Sequence, residues 1–115
     1  MAVCAEIGTP VPYDRDAALV LGPAAPGLYG PLRDPTDAEG WRRGFDWWRG
    51  QCLADARRLA VPRRRWLAIA TQAGATFDED FPGWAALIGP DGDVVAESAD
   101  HREALLAVEV PLPDA

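Results

Sequence analysis

Short apolar runs separated by breaks rich in glycine and proline dominate the 115-residue chain. Continuous runs of β-type residues are typical of buried strands, and two runs predict strands covered on both faces. Two further runs flank Pro90-Asp91-Gly92, which is a strong β-hairpin signal. The predicted strands are 1–4, 18–22 (ALVLG), 66–71 (WLAIAT), 84–89, 93–98 and 104–110, with 72–83 interpreted as a loop.

One long helix is predicted between the strands at 18–22 and 66–71. Thr36 and Glu39 have the spacing of a capping box, in which the first side chain caps the helix and the second returns to its N–H. Pro62 is expected to end the helix, because proline cannot continue the hydrogen-bond ladder. The apolar stripe comprises Trp41, Phe45, Trp48, Cys52, Ala56 and Leu59.

The region around Cys4 is broken up by proline and glycine. The apolar run ends at Cys4, and the sequence GTPVP follows. We expect at most a single helical turn at 12–18, and a long Gly/Pro loop at 22–35 of the kind that is usually functional or disordered. The order of elements indicates a single α/β unit over residues 1–115, without internal repeats.

Charge and cysteine content exclude several classes of protein. The net charge is −7, which disfavours nucleic acid and anionic membranes as partners. No run reaches the length of a membrane span, and no secretory signal is recognised. With two cysteines and no disulfide framework, we expect free thiols and a cytoplasmic location.

Two sequence blocks together resemble the carbon–nitrogen hydrolase (nitrilase) superfamily. VCAEIGTP is similar to the nucleophile segment of that family, a hydrophobic strand ending in C-x-[ED] with a proline shortly after. TQAGATFDEDFPGWAALIGPDGDVVAES followed by ALLAVEVPL resembles its C-terminal glycine loop, hairpin and last strand. The resemblance covers nearly the whole chain and corresponds to roughly the C-terminal half of a nitrilase-type domain.

The resemblance implies an α-β-β-α sandwich, usually paired into dimers through its helical layer. It implies hydrolysis of an amide, nitrile or N-carbamoyl compound through a cysteine acyl-enzyme, without a cofactor or metal. By position, Cys4 is the nucleophile, the Ala5 N–H is an oxyanion donor, and Glu6 is a supporting acid. We expect Tyr29 and Trp41 to line the substrate pocket.

The sequence departs from the family in its catalytic triad. The family's base Glu and its Lys precede the cysteine, whereas only three residues precede Cys4 and the chain contains no lysine. Arginine is a poor replacement, because its guanidinium remains charged and has a different shape. Three interpretations follow: an incompletely annotated gene product, half of a split enzyme, or a decayed remnant. Under each of the three interpretations, the isolated chain is expected to be inactive and to expose apolar sheet surface.

Other interpretations remain open at this stage. Cys4, taken alone, is more typical of a small buried core residue than of a nucleophile. A non-catalytic module that pairs through the tryptophan-rich helix is the main rival, and a thiol-redox protein is disfavoured because C-x-x-C is absent. The remaining polar groups are interpreted as solvated turns: His101, Asp78-Glu79-Asp80 and Arg63-Arg64-Arg65, with Cys52 in the core.

Overall fold

A computed structural model gives the fold, and it describes residues 1, 4–24, 38–75, 80–98 and 105–111. Six strands and one long helix carry the architecture. The strands are β1 (Leu19–Ala24), β2 (Trp66–Thr71), β3 (Ala73–Ala75), β4 (Asp80–Pro82), β5 (Ala85–Ile88) and β6 (Val94–Ser98). Helix α1 spans Ala38–Asp55, and 3-10 helices occur at Cys4–Gly8, Val11–Tyr13 and Val61–Arg63.

The main sheet has four strands in the order β1-β2-β5-β6. β1 and β2 are parallel, with Leu21 opposite Ala68, and the long α1 connection makes that crossover possible. β2 pairs with β5, and β5 with β6, in antiparallel fashion. The predicted loop at 72–83 was only partly correct, because β3 and β4 form a separate antiparallel ribbon within it.

The predicted hairpin is confirmed between β5 and β6. The Gly92 N–H donates to the Gly89 carbonyl at 3.0 Å, and the Gly89 N–H donates to the Asp93 carbonyl at 2.8 Å. Gly92 has φ of +90°, a conformation that side chains disfavour, so the glycine of Pro90-Asp91-Gly92 is required by the turn.

The predicted helix is also confirmed, with a distinct ending. α1 continues into a π-helix at Ala56–Ala60 and then into the 3-10 helix that contains Pro62. The last turn closes at Arg64, which has φ of 54° and ψ of 42°. The expected capping residue Thr36 lies outside the described residues.

The core lies between α1 and one face of the sheet. Four residues of the predicted stripe are buried there, Phe45, Cys52, Ala56 and Leu59, with Trp48 packed at the edge, and the side chain of Trp41 lies outside the described residues. Alternate residues of the strands supply the opposite wall, because side chains of a strand point to the two faces in turn. The core includes Val20, Leu67, Ile69, Ala86 and Ile88 from the sheet, and Phe45, Cys52, Leu53, Ala56, Leu59 and Ala60 from the helical side.

The opposite face of the sheet is apolar but largely open. Leu21 on this face is 51 % exposed, and the paired register places Ala68, Ala70 and Ala85 beside it. The expectation that β1 is covered on both faces is therefore wrong for the described residues. The expectation of exposed apolar sheet surface agrees with the structure at Leu21, whereas Leu87, which pairs with Ala68 on the same face, is buried and lines a groove with residues from 105–110.

The strand predicted at 104–110 is wrong for its described part. Residues 105–111 contain no strand, although Leu105, Leu106, Val108 and Val110 line an apolar groove together with the open face. A sequence with high β propensity becomes a strand only where a neighbouring strand can pair with it.

Trp84 fastens α1 to the sheet. Its ring contacts Phe45 and Trp48 edge-on, with centroid distances of 6.4 and 5.5 Å. Its indole N–H donates to Glu97 Oε2 at 2.9 Å, and Arg49 pairs with the same carboxylate at 2.7 Å. This ion pair holds the pKa of Glu97 below its ordinary value, the Arg49 hydrogen bond being the largest cause.

Candidate active site

The segment that carries Cys4 folds as the 3-10 helix Cys4–Gly8, immediately before the break at Thr9 and Pro10. The strand predicted at 1–4 is not found at its described positions, because Met1 is in no element and Cys4 begins the 3-10 helix, whereas residues 2–3 lie outside the described residues. The same is true of the side chains of Cys4 and Ala5. The backbone nevertheless shows how this short helix is placed against the rest of the molecule.

Ile7 anchors the Cys4–Gly8 helix in the core. Its side chain is buried in the core cluster and lies against β1. A Cβ atom placed on Gly22 would lie 3.1 Å from Cδ1 of Ile7, so glycine in β1 makes room for this side chain. The apolar residue three positions after Cys4 therefore fixes the helix to the parallel part of the sheet.

Pro10 removes one main-chain donor that would follow this helix. A 3-10 helix bonds each carbonyl to the N–H three residues on, and for Ile7 that residue is Pro10, which has no N–H. The hydroxyl of Tyr13 donates to the Ile7 carbonyl instead, at 2.7 Å. The next carbonyl, that of Gly8, accepts from Arg58 Nη2 at 3.2 Å.

The carbonyl of Glu6, one residue before Ile7, accepts hydrogen bonds from a nearby residue. Both the backbone N–H and the Oγ1 hydroxyl of Thr9 donate to the Glu6 carbonyl, at 3.0 and 2.8 Å. Three consecutive carbonyls, those of Glu6, Ile7 and Gly8, thus each accept a hydrogen bond. The C-terminal end of the Cys4–Gly8 helix is fixed by contacts from both nearby and distant parts of the chain.

Tyr13 is fully buried, with 0 % of its surface exposed. Burial raises the pKa of Tyr13 to about 12, and the nearby Cys52 and Asp55 contribute in the same direction. The hydroxyl therefore keeps its proton and remains a donor to Ile7 over the whole neutral pH range.

The arginine run after α1 is not the solvated turn that we expected. Arg63 pairs with Asp14 at 2.5 Å and also donates to the Leu59 carbonyl at 2.9 Å. Arg65 donates to the carbonyls of Tyr13 and Arg15 at 3.3 and 2.9 Å. These bonds tie segment 13–15 to the end of the helical layer, because guanidinium groups can serve several acceptors at once.

A cleft of about 280 Å³ lies beside the Cys4–Gly8 helix. Its walls are Ile7 and Gly8, Ala24 at the carboxyl end of β1, and the helix residues Trp48, Gln51, Cys52 and Asp55. Cys52 is buried, as predicted. Burial first, and Asp55 second, raise the pKa of this thiol to about 12, so it is not an activated nucleophile.

The other predicted site residues are only partly described. Glu6 is exposed and lines a separate hollow of about 620 Å³ with Thr9, Val11 and Arg15, away from the walls of the 280 Å³ cleft. Trp41 lies in the first turns of α1, but its side chain is outside the described residues, and so is Tyr29 altogether. His101 and Asp78-Glu79 also lie outside them, and no cluster of three metal-ligating side chains occurs in the described ranges.

Sequence reasoning missed the residues that hold the Cys4–Gly8 helix. Tyr13 lies in a stretch interrupted by Pro10 and Pro12, and Arg58 lies far along the chain. Neither has a periodic pattern or a motif. The one available signal was Pro10, because the carbonyl three residues before it needs another donor.

Comparison with solved structures identifies the fold. The chain is similar to a carbon–nitrogen hydrolase from Helicobacter pylori G27, with a TM-score of 0.66 and 18 % identity over 88 % of this chain and 36 % of that one. It is also similar to an amidase from Nesterenkonia sp., with a TM-score of 0.52 and 27 % identity over 85 % of this chain and 32 % of that one. No family model and no curated protein matches.

One related structure shows a mutant of the Nesterenkonia sp. AN1 amidase of the nitrilase superfamily, with the acetamide moiety of fluoroacetamide covalently added at its active-site cysteine. Its similarity to this chain is 27 % identity at a TM-score of 0.53, over 86 % of this chain and 32 % of that one.

The resemblance to carbon–nitrogen hydrolases is thus confirmed at the level of the fold. The chain has the α/β architecture of a nitrilase-type sandwich and spans about a third of the length of these structures. Within the described residues, no helix is both long and apolar enough to cross a membrane.

Proposed function

We propose that this chain is part of a carbon–nitrogen hydrolase in which Cys4 is the nucleophile. The observation that carries the proposal is the fold similarity to a nitrilase-superfamily amidase, combined with the placement of the C-x-E sequence in a fixed 3-10 helix. The Ala5 N–H serves as an oxyanion donor, and Glu6 has a supporting role. Tyr29 and Trp41 line the substrate pocket.

The substrate is a small amide, nitrile or N-carbamoyl compound. For an amide, the Cys4 thiolate attacks the carbonyl carbon, and the C–N bond breaks as the nitrogen takes a proton and leaves as an amine or ammonia. Water then attacks the thioester, giving the acid and returning the thiol. A reducing cytoplasmic setting suits this chemistry, because the thiol has to remain free.

The base Glu and the Lys come from outside residues 1–115, which form only part of a nitrilase-type domain. Support comes from the coverage of about a third of the similar structures and from the absence of lysine in the sequence. The partner is a complementing N-terminal half, whether on the same polypeptide or on another. The open apolar face around Leu21 favours a second β-layer there, because exposed apolar patches of this kind mark interaction surfaces.

Amide hydrolysis by the assembled protein tests the proposal. The chain would be expressed with the coding sequence that precedes Met1, and ammonia release from acetamide and acrylamide would be measured. Cys4→Ala is expected to abolish turnover, whereas Cys52→Ala, the matched control at the buried thiol, is expected to retain it. Unchanged turnover in Cys4→Ala would remove Cys4 from the mechanism.

A second candidate is a non-catalytic module that pairs through α1, either with another copy of the chain or with another protein. It is favoured by Trp47, which lies on α1 outside the core and is 66 % exposed. Aromatic side chains of this size are enriched at protein interfaces. Trp47→Ala is expected to reduce self-association in sedimentation experiments, and an unchanged monomer would argue against this pairing.

A further inference from the structure

We infer that Tyr13 is a positioning residue for the nucleophile, because its buried hydroxyl holds the Ile7 carbonyl at the end of the Cys4–Gly8 helix. The inference rests on the proposed role of Cys4. Tyr13 acts through the backbone of this helix and does not touch the substrate. The distance from its hydroxyl oxygen to the Ile7 carbonyl oxygen is 2.7 Å.

The sequence leaves this carbonyl without a main-chain donor. Pro10 stands where a 3-10 helix would supply the next N–H, and Ile7 itself is buried. A buried carbonyl without a donor is costly, so native proteins almost always satisfy one. Tyr13 donates to this carbonyl from a separate turn. The end of the Cys4–Gly8 helix is therefore held although Pro10 interrupts the main-chain hydrogen bonds.

The backbone of Tyr13 is itself fixed, because both its N–H and its carbonyl form hydrogen bonds. The Tyr13 N–H donates to the Pro10 carbonyl at 3.0 Å, and its own carbonyl accepts from Arg65 Nε at 3.3 Å. Its ring is buried within the core cluster. The hydroxyl is thus aimed from a rigid site, as a group that must position another group should be.

The direction of the Cys4–Gly8 helix follows from this contact. Ile7 is the third residue after Cys4, and the intervening backbone is helical. Release of the Ile7 carbonyl would therefore change how firmly the first turn, with Cys4 and the Ala5 N–H, is held. Catalytic groups that are displaced by about 1 Å lose much of their effect.

The test compares Tyr13→Phe with two controls in the assembled protein, which includes the segment that supplies the base Glu and the Lys. Tyr13→Phe removes only the hydroxyl. Thr9→Ala removes a side-chain bond to the neighbouring Glu6 carbonyl but leaves the Thr9 N–H bond in place. Ile88→Val perturbs the core on β5, away from this helix, and controls for a general loss of stability.

Two readouts are measured. Hydrogen exchange reports the protection of the backbone amides of residues 4–8. Alkylation by iodoacetamide as a function of pH reports Cys4, and trypsin separates the Cys4 peptide, which ends at Arg15, from peptide 50–57 with Cys52. Tyr13→Phe is expected to reduce protection of residues 4–8 about tenfold, and to change the Cys4 alkylation rate at least threefold with a shifted pH midpoint. Both controls are expected to stay within twofold.

A rescue variant makes the test specific. Pro10→Ala restores a main-chain N–H at position 10, where it can donate to the Ile7 carbonyl. In the Tyr13→Phe background it is expected to return protection and alkylation to within about twofold of the wild-type values. If Tyr13→Phe alone does not fold, the double variant carries the test, and its failure to recover the protection of residues 4–8 would overturn the inference.

The outcomes separate this inference from the proposed function. If Cys4 is more reactive than an ordinary thiol and is unaffected by Tyr13→Phe, the nucleophile stands and the positioning role is overturned. If protection of residues 4–8 depends on Tyr13 but Cys4 reacts like an ordinary thiol in every variant, Tyr13 fixes the helix and the proposed function fails.

Discussion

The two faces of the four-stranded sheet differ in how completely they are packed. On the helix side, Leu67 and its neighbours are buried against α1, and Leu67 has 0 % exposure. On the other side, Leu21 is half exposed, and the paired positions on β2 are the alanines Ala68 and Ala70. The helix side is a closed hydrophobic core. The other side carries small apolar side chains, against which a second layer can pack closely.

The difference shows which part of the fold this chain can pack by itself. The Cys4–Gly8 helix is attached to the closed core on the helix side, through Ile7, Tyr13 and Arg58. The proposed nucleophile can therefore be held by this chain alone, while the open face is left for the layer that would bring the base and the lysine.

The largest expected effect on stability is the difference between truncating a leucine on the helix side and truncating one on the open face. Leu67→Ala is expected to lower the free energy of unfolding by about 2–5 kcal/mol, because it leaves a cavity in a closed core. Leu21→Ala is expected to cost less than about 1 kcal/mol, because its side chain is already half in solvent. Urea denaturation monitored by tryptophan fluorescence measures both, and equal losses would contradict the contrast between the faces.

Alkaline titration tests the burial of Tyr13 and Cys52 in the core on the helix side of the sheet. The pKa of Tyr13 is raised to about 12 in the folded chain, so the unfolded state ionises first as the pH rises above about 10. Stability present below that pH is expected to be lost by roughly 2–3 kcal/mol towards pH 12. Cys52, whose pKa is also raised to about 12, adds to the loss from a lower starting pH.

Unfolding at a series of alkaline pH values checks this, with Cys52→Ala and Tyr13→Phe separating the two contributions. A free energy of unfolding that stays constant from pH 9 to pH 12 would show that neither group is buried as described.

A smaller effect is expected at the ion pair that ties α1 to β6. Glu97→Gln keeps an acceptor for Trp84 but loses the charged pair with Arg49, and is expected to cost about 1 kcal/mol. Because the pKa of Glu97 is lowered, this stability is present above the ordinary pKa of glutamate and disappears as the pH falls through the folded value.

Acid titration of unfolding measures the contribution, with Glu39→Gln as the matched control. Glu39 and Arg43 are 3.7 Å apart on the exposed surface of α1, and removing that charge is expected to change little. A loss of the same size in both variants would mean that burial of the Glu97 pair is unimportant.

The smallest effect on folding, but a direct one on association, is expected from Leu21→Ser. A polar side chain on the open face, here on the edge strand β1, should weaken self-association of the isolated chain, with little change in its stability. Analytical ultracentrifugation compares it with Ala54→Ser on the exposed surface of α1. Association that persists unchanged in Leu21→Ser would place the contact on another surface.

Local signals predicted much of the fold. The hairpin at Pro90-Asp91-Gly92 and the strand WLAIAT carry their structure in their own residues, and both are found where expected. The segment ALLAVEV has an equally strong pattern, but its described residues form no strand. A strand depends on its neighbour as much as on its sequence, so the pattern alone could not decide the outcome.

The candidate site was predictable only in part. The C-x-E pattern is local, so Cys4 and Glu6 could be named from the sequence, and their roles stay predictions. The sequence could not locate Tyr13 or Arg58, because hydrogen bonds to the carbonyls of Ile7 and Gly8 depend on how separate turns meet in space. Tyr29 and the side chain of Trp41 lie outside the described residues, so their role as pocket residues stays a prediction.

The central claim is that Cys4, and not Cys52, is the reactive thiol of an amide-processing site. The most direct measurement is the rate of acrylamide addition at each cysteine in the assembled protein, read from the masses of the Cys4 peptide that ends at Arg15 and of peptide 50–57. We expect addition at Cys4 to be at least about a hundredfold faster than at Cys52, since the buried thiol stays protonated. Reaction of Cys4 no faster than that of an unstructured peptide with the same sequence would contradict the account.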